Sequence, residues 1–214
     1  MAASPGSVNR ASKWRPADDH YNTPRAAIVP FVRAALLPDH IWEPACGEGA
    51  ISKVLEEHGH TVTSTTLVDR GYGRPSVNFL ECRELLAPVI VTNPPFGIID
   101  EFVDHALSLN PDVLAIFART KFVEGASRYG QIHARRPFSA IYQFIERIKF
   151  FAGDIAESEQ PGWNTEAFAW FVWIRNWRRE PVFRWLSRDD GLQHDMFPRE
   201  VSRMTPTHGK GGVG

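Results

Sequence analysis

Cysteine is nearly missing from this chain: Cys46 and Cys82 are the only two in 214 residues, too few for a disulfide framework, and both are read as reduced thiols. No run approaches the roughly 18 unbroken apolar residues of a membrane span, and no charged-then-apolar leader opens the sequence. A cytoplasmic protein with no membrane partner is therefore expected. The eight histidines lack the ligand spacing of a zinc site, and His58 and His60 merely flank Gly59 in a loop between helix and strand, so no metal is expected. Residues 1–16 contain no acid and are rich in Ala, Ser and Arg, which reads as a flexible basic arm rather than an organelle transit peptide. The Gly-Lys-Gly-Gly of residues 209–212 has neither the preceding strand nor the full spacing of a phosphate loop. It reads as part of a flexible tail over 191–214.

What remains, residues 17–190, is long enough for one full core and leaves little for a second domain. The net charge of −1 hides a division. Between Asp39 and Asp112 there are twelve acidic and four basic residues, whereas between Val113 and Arg188 there are seven acidic and twelve basic. The basic half carries Arg119 and Lys121, then Arg128, Arg135 and Arg136, then Arg147 and Lys149, then Arg175, Arg178, Arg179, Arg184 and Arg188. A polyanion could bind there through phosphate contacts and counterion release.

Strand-like runs at residues 41–44, 61–68, 77–79, 89–92 and 113–118 alternate with helix-like stretches, among them 25–37, 50–57 and 99–109, which predicts a wound βα sheet. Two later β-branched and aromatic runs, 139–145 and 167–174, flank the Gly- and Pro-containing segment 153–164 and are expected to pair as a terminal hairpin. Residues 121–136 lack long apolar runs and contain Gly125, Ser127 and Gly130. They read as a surface insertion or a mobile nucleic-acid-binding loop.

Chemistry concentrates in three places. Asn93-Pro94-Pro95-Phe96 stands at the mouth of the apolar run 89–91, where the prolines fix φ and lack N–H groups, so the Asn93 amide oxygen and the Pro94 carbonyl can both act as acceptors. Phe96 offers a flat face for stacking. Such a loop suits a planar amino group whose lone pair is delocalised: two acceptors concentrate electron density on the nitrogen as an electrophile approaches, and no proton need leave first. Trp42-Glu43-Pro44-Ala45-Cys46-Gly47-Glu48-Gly49 leads into Ile51, Val54 and Leu55 at helical spacing and reads as strand, glycine turn, helix, with backbone able to approach a ligand. About 20 residues on, Asp69 follows a strand-like run, where a carboxylate can accept from both ribose hydroxyls. The third glycine of a dinucleotide fingerprint is replaced by Ser52, so hydride transfer is disfavoured. Upstream, Thr23 fits a helix N-cap and Pro24 the first helical position.

Glu43 to Gly49, Asp69 and Asn93 to Phe96, in that order, resemble the amino-group methyltransferases that use S-adenosylmethionine, most closely the DNA adenine-N6 class in a small phage- or prophage-type form. The resemblance spans residues 21–174 and implies an α/β, Rossmann-like methyltransferase fold, a mixed seven-stranded sheet with a terminal antiparallel hairpin and helices on both faces. It further implies S-adenosylmethionine as cofactor, S-adenosylhomocysteine as product, and DNA as partner of a monomer or weak dimer. On this likeness Glu43, Ala45, Gly47 and Gly49 lie against the methionine part of the cofactor, with Tyr21, Thr23 and Pro24 near its carboxylate. Asp69 holds the ribose. Asn93, Pro94, Pro95 and Phe96 clamp the target amine, and Phe150, with Phe151 close behind, stacks on the far face of a flipped base. The family commonly has an aspartate where this chain has Asn78, which can accept from the cofactor adenine only as a neutral amide, beside Phe79 as a stacking or core residue. The implied reaction is direct in-line transfer to adenine N6, with Cys46 disfavoured as a nucleophile because it lies inside the glycine turn. The same loop serves RNA adenine and protein-glutamine methyltransferases, and a non-catalytic binding module on this fold is the alternative of a different class.

Overall fold

Apolar runs in the central strands and three-to-four spacing in the helices resolve, in the computed structural model, into a sheet covered on both sides; residues 22–149 and 166–188 are described. The expected arm at 1–16, the segment 153–164 and the tail at 191–214 lie outside the described residues. Strands His40–Glu43 (β1), Thr61–Ser64 (β2), Val89–Thr92 (β3), Val113–Arg119 (β4), Ala140–Phe144 (β5), Phe168–Ile174 (β6) and Val182–Leu186 (β7) form one sheet in the order β2-β1-β3-β4-β6-β5-β7. The first four are parallel to one another. β6 runs antiparallel to both β4 and β5, and β7 lies parallel to β5 at the edge. Helices Arg25–Ala34 (α1), Ala50–Glu57 (α2), Ile99–Ser108 (α3) and the short Ala126–Arg128 (α4) complete the set.

β4 shows why the sheet needs two covers. Val113, Ala115 and Phe117 join one buried cluster with Phe31 of α1 and Leu55 of α2, while Leu114, Ile116 and Ala118 join a second with Phe102 and Val103 of α3. A strand buried on both faces reads as a continuous apolar run, as this one does. Trp170 of β6 docks α1: its ring stacks on Phe31 at 4.2 Å, and its indole N–H donates to the Ala27 carbonyl at 2.8 Å.

The sheet has the expected seven strands, but not the expected seven. Residues 77–79 are not a strand. The Asn78 side chain accepts from the Leu80 N–H and closes a tight helical turn, Phe79–Glu81, and Phe79 turns inward, stacking on Phe102 at 4.3 Å and meeting Trp42 edge-on at 5.2 Å. The seventh strand is β7 instead. Its sequence hides it, because Phe183 and Trp185 are exposed while the inward positions Val182 and Leu186, which pack with the core, are interrupted by Arg184, so no clean alternation marks the segment. Residues 121–136 are not a loop either: they form helical turns, Thr120–Val123, α4 and Tyr129–His133, with Phe122 and Ile132 buried. Arg128 holds them down by a two-pronged bond to Asp100 and a further bond to the Glu124 carbonyl.

Trp170→Ala opens a cavity between α1 and the sheet and should cost about 3–5 kcal/mol, whereas Phe183→Ala on the exposed edge should fall within about 0.5 kcal/mol. Urea denaturation of the two variants checks the contrast.

Candidate active site

In open α/β sheets, loops at the carboxyl ends of adjacent strands converge on one crevice. Here the loops after β1, β2 and β3 and the start of α1 enclose a cleft of about 260 Å³. Of the residues singled out in the sequence, Thr23, Glu43, Ala45, Gly47, Asn78 and Phe79 line it, together with all four of Asn93, Pro94, Pro95 and Phe96. Pro24, Gly49 and Asp69 are not among the lining residues. Tyr21, Phe150 and Phe151 lie outside the described residues.

Gly47 and Gly49 both have positive φ, 54° and 81°. Gly47 meets the cleft; Gly49 answers to the fold, since a Cβ there would come within 2.4 Å of the Tyr72 ring. Glu43 is 2% exposed and accepts the backbone N–H of Ser52 at 2.8 Å and the Ser52 hydroxyl. It thereby satisfies one of the orphan donors in the first turn of α2. Burial nevertheless raises its pKa to about 7, the Ser52 bonds offsetting only part of the desolvation. Burial, reinforced by nearby Glu43, also pushes the Cys46 thiol up to about 12, so it stays protonated at neutral pH.

Beyond β3, the Asn93 amide nitrogen donates to the Thr23 hydroxyl at 2.9 Å, while its amide oxygen is buried with no hydrogen-bond partner. An acceptor left so costs about 1–3 kcal/mol, and a group of this kind calls for an explanation, a catalytic or ligand-binding role among them. Thr23 does not cap α1 as expected: the N-cap is Pro24, with no side-chain bond, and the hydroxyl is committed to Asn93. Over the Phe96 ring, at 4.7 Å, sits the Arg119 guanidinium, ion-paired with Glu166, which also binds Lys121 at 2.9 Å.

Asp69 departs from expectation for a readable reason. Arg74 N–H bonds to the Ser64 carbonyl and Thr66 N–H to the Arg74 carbonyl, folding the chain back on itself, and Asp69 at the tip is exposed with its carboxylate accepting the Gly71 N–H at 3.0 Å. The run 61–68 thus ends as a strand at Ser64. Thr66, Leu67, Val68 and Arg70 line the cleft in its place; the turn signal Asp69-Arg70-Gly71-Tyr72-Gly73 could have revealed this. Asn78 is tied to its own turn, accepting from Leu80 N–H at 3.2 Å and donating to Glu81 at 2.8 Å. Among the described residues that line the cleft, Glu43 is the sole carboxylate.

Of the basic residues, Arg128 grips Asp100, Arg175 pairs with Asp112, and Arg136 donates to the Leu107 carbonyl. These three hold the fold together. Arg135, Arg147, Lys149, Arg178 and Arg179 are exposed. No described helix is long and apolar enough to cross a membrane, and no cluster of metal-ligating side chains occurs among the described residues.

No protein-family model and no curated protein matches this sequence. Among solved structures, the chain is similar to the methyltransferase subunit of a type I restriction-modification system from Streptococcus thermophilus, with 12% identity and a TM-score of 0.55 over 77% of this chain and 47% of that one. It is similar too to a candidate RNA methyltransferase from Pyrococcus horikoshii, with 12% identity and a TM-score of 0.54 over 74% of this chain and 87% of that one. The fold is a Rossmann-like methyltransferase fold. The chain spans about half the length of the restriction-modification subunit it matches, and at this identity the fold is what the two share.

Within this methyltransferase fold, Glu43 keeps its proton up to about pH 7, whereas an ordinary carboxylate loses it near 4.5. Its contribution to stability is full below the unfolded value and declines as pH rises through the folded one. The melting temperature should therefore fall between pH 4.5 and about 7, and Glu43→Gln should flatten that slope. Thermal melts of both proteins across the range check it.

Proposed function

We propose that this protein transfers a methyl group from S-adenosylmethionine to the N6 amino group of adenine in DNA, by direct in-line attack on a base held by Asn93, Pro94, Pro95 and Phe96. The observation that carries the reading is the Asn93 amide oxygen, a desolvated acceptor without a donor, in the same cleft as the glycine turn. An adenine amino group would supply the missing N–H. Accepting it, Asn93 draws density onto the amino nitrogen while positive charge develops there, and Phe96 orients the ring by stacking.

The residues of the cleft fit the cofactor, with one departure. Glu43 offers a carboxylate for the methionine ammonium, Gly47 a backbone without Cβ, and Leu67, Val68 and Phe79 an apolar wall for an adenine ring. Asp69 is exposed and does not line the cleft, which leaves Thr66 and Asn78 as neutral acceptors for a ribose. When bound, the cofactor supplies a methyl group on a positively charged sulfur. The protonated Cys46 thiol is consistent with a reaction that needs no covalent enzyme intermediate. The exposed basic residues after Val113, namely Arg135, Arg147, Lys149, Arg178 and Arg179, and the likeness to a restriction-modification subunit support a nucleic-acid partner. A second reading, a non-catalytic binding module, is favoured by the scarcity of carboxylates in the cleft.

Duplex DNA, single-stranded DNA, RNA and protein should each be offered with labelled S-adenosylmethionine, and the modified unit identified after digestion. N6-methyladenine in DNA is expected. The same mark in RNA alone, or methylglutamine, would move the reading to another substrate, and cofactor binding without transfer to any of the four would establish the module. Asn93→Ala should lower kcat by about 100-fold or more while leaving cofactor affinity within about twofold. Asp69→Ala should leave cofactor affinity nearly unchanged, measured by calorimetry.

A further inference from the structure

An asparagine amide has two ends of nearly the same size, one a donor and one an acceptor, and only its partners decide which end a ligand meets. At Asn93 the partner is Thr23, 70 residues away in sequence, whose hydroxyl accepts the amide N–H at 2.9 Å. Thr23 is 6% exposed and its hydroxyl does not cap the helix it precedes. Its position at the start of α1 therefore leaves the bond to Asn93 as its one described polar role. The bond pins the amide nitrogen and leaves the oxygen as the free end, buried and without a donor. Donation from the nitrogen also polarises the amide and strengthens the oxygen as an acceptor.

Resting on the reading that this cleft takes an adenine amine, we infer that Thr23 is a positioning residue that sets the site's preference for an amino group over a carbonyl on the target base. Adenine and hypoxanthine differ at position 6 by that exchange. With the oxygen presented, an amino group is bound and a ring carbonyl is repelled. Without the Thr23 acceptor the amide can turn over, offer its N–H to a carbonyl, and lose the distinction. The role differs from that of a cofactor contact, because it acts through Asn93 and on the base alone.

The test uses two oligothymidylates, one carrying a single central adenine and the other a single central hypoxanthine, titrated against the full chain with saturating S-adenosylhomocysteine. The wild-type protein should prefer adenine by about tenfold, the worth of one well-made buried hydrogen bond. Thr23→Val, nearly the same shape, should bring the ratio to within about twofold, and Thr23→Ser should restore it, with cofactor affinity little changed in both; Thr23→Val also leaves the buried Asn93 N–H unpaired and should lower the melting temperature by roughly a few degrees, which Thr23→Ser recovers. A wild-type protein without the preference, or a Thr23→Val variant that keeps it, overturns the inference. So does a Thr23→Val variant that loses cofactor affinity with the base ratio intact, which would make Thr23 a cofactor contact. Because the readout is binding, it separates from the reading beneath it: the expected ratios without methyl transfer sink the transferase reading and leave Thr23 in this role, and transfer with an unmoved ratio does the reverse.

Discussion

Burial of the central strands on both faces is the constraint from which the cleft follows. β3 and β4 pack against α1 and α2 on one side and α3 on the other, so their side chains must be apolar along nearly the whole length. Polar chemistry can then appear only where the strands stop. Val89–Thr92 is buried throughout, and the next residue is Asn93. The prolines after it contribute no N–H groups, so the turn leaves the sheet without needing acceptors for them. Because β1 and β3 are neighbours and parallel, the glycine turn and the Asn-Pro-Pro-Phe loop emerge at the same edge, side by side.

The site is held by a few long-range polar contacts rather than by many. Thr23 reaches Asn93, Glu43 reaches Ser52, and Arg119 bridges Phe96 and Glu166. The contacts of Thr23 with Asn93 and of Arg119 with Glu166 join elements remote in sequence, while that of Glu43 with Ser52 ties β1 to the helix that follows it. Glu43 shows the tension in this arrangement. It finishes the first turn of α2 and also faces the cleft, and its burial keeps it poised near neutrality rather than firmly ionised. A nearby ammonium would tip it towards the charged form.

The second half of the sheet shows the limits of charge as a guide. A count of arginines after Val113 suggests a broad polyanion surface, yet Arg128 and Arg175 are committed to Asp100 and Asp112, and Arg119 and Lys121 share Glu166. Arginine's planar fork suits such internal pairing, and sequence spacing cannot distinguish it from a solvated residue awaiting a phosphate.

Local pattern was enough for the elements whose side chains face a core. The apolar run of β4, the helical spacing of Ile51, Val54 and Leu55 and the prolines after Asn93 each have a cause confined to a few neighbouring residues, and each was legible. Only the tertiary structure could decide the rest, because those features depend on which distant backbone or side chain arrives as partner. A bond from the Arg74 N–H to the Ser64 carbonyl carries Asp69 out of the cleft, an amide on Leu80 turns residues 77–79 away from the sheet, and pairing with β5 makes a strand of Val182–Leu186 despite its exposed aromatic side chains. Thr23 is the sharpest instance: its sequence position fits a helix cap equally well, and its hydroxyl acquires another purpose only because folding brings Asn93 within a hydrogen bond of it.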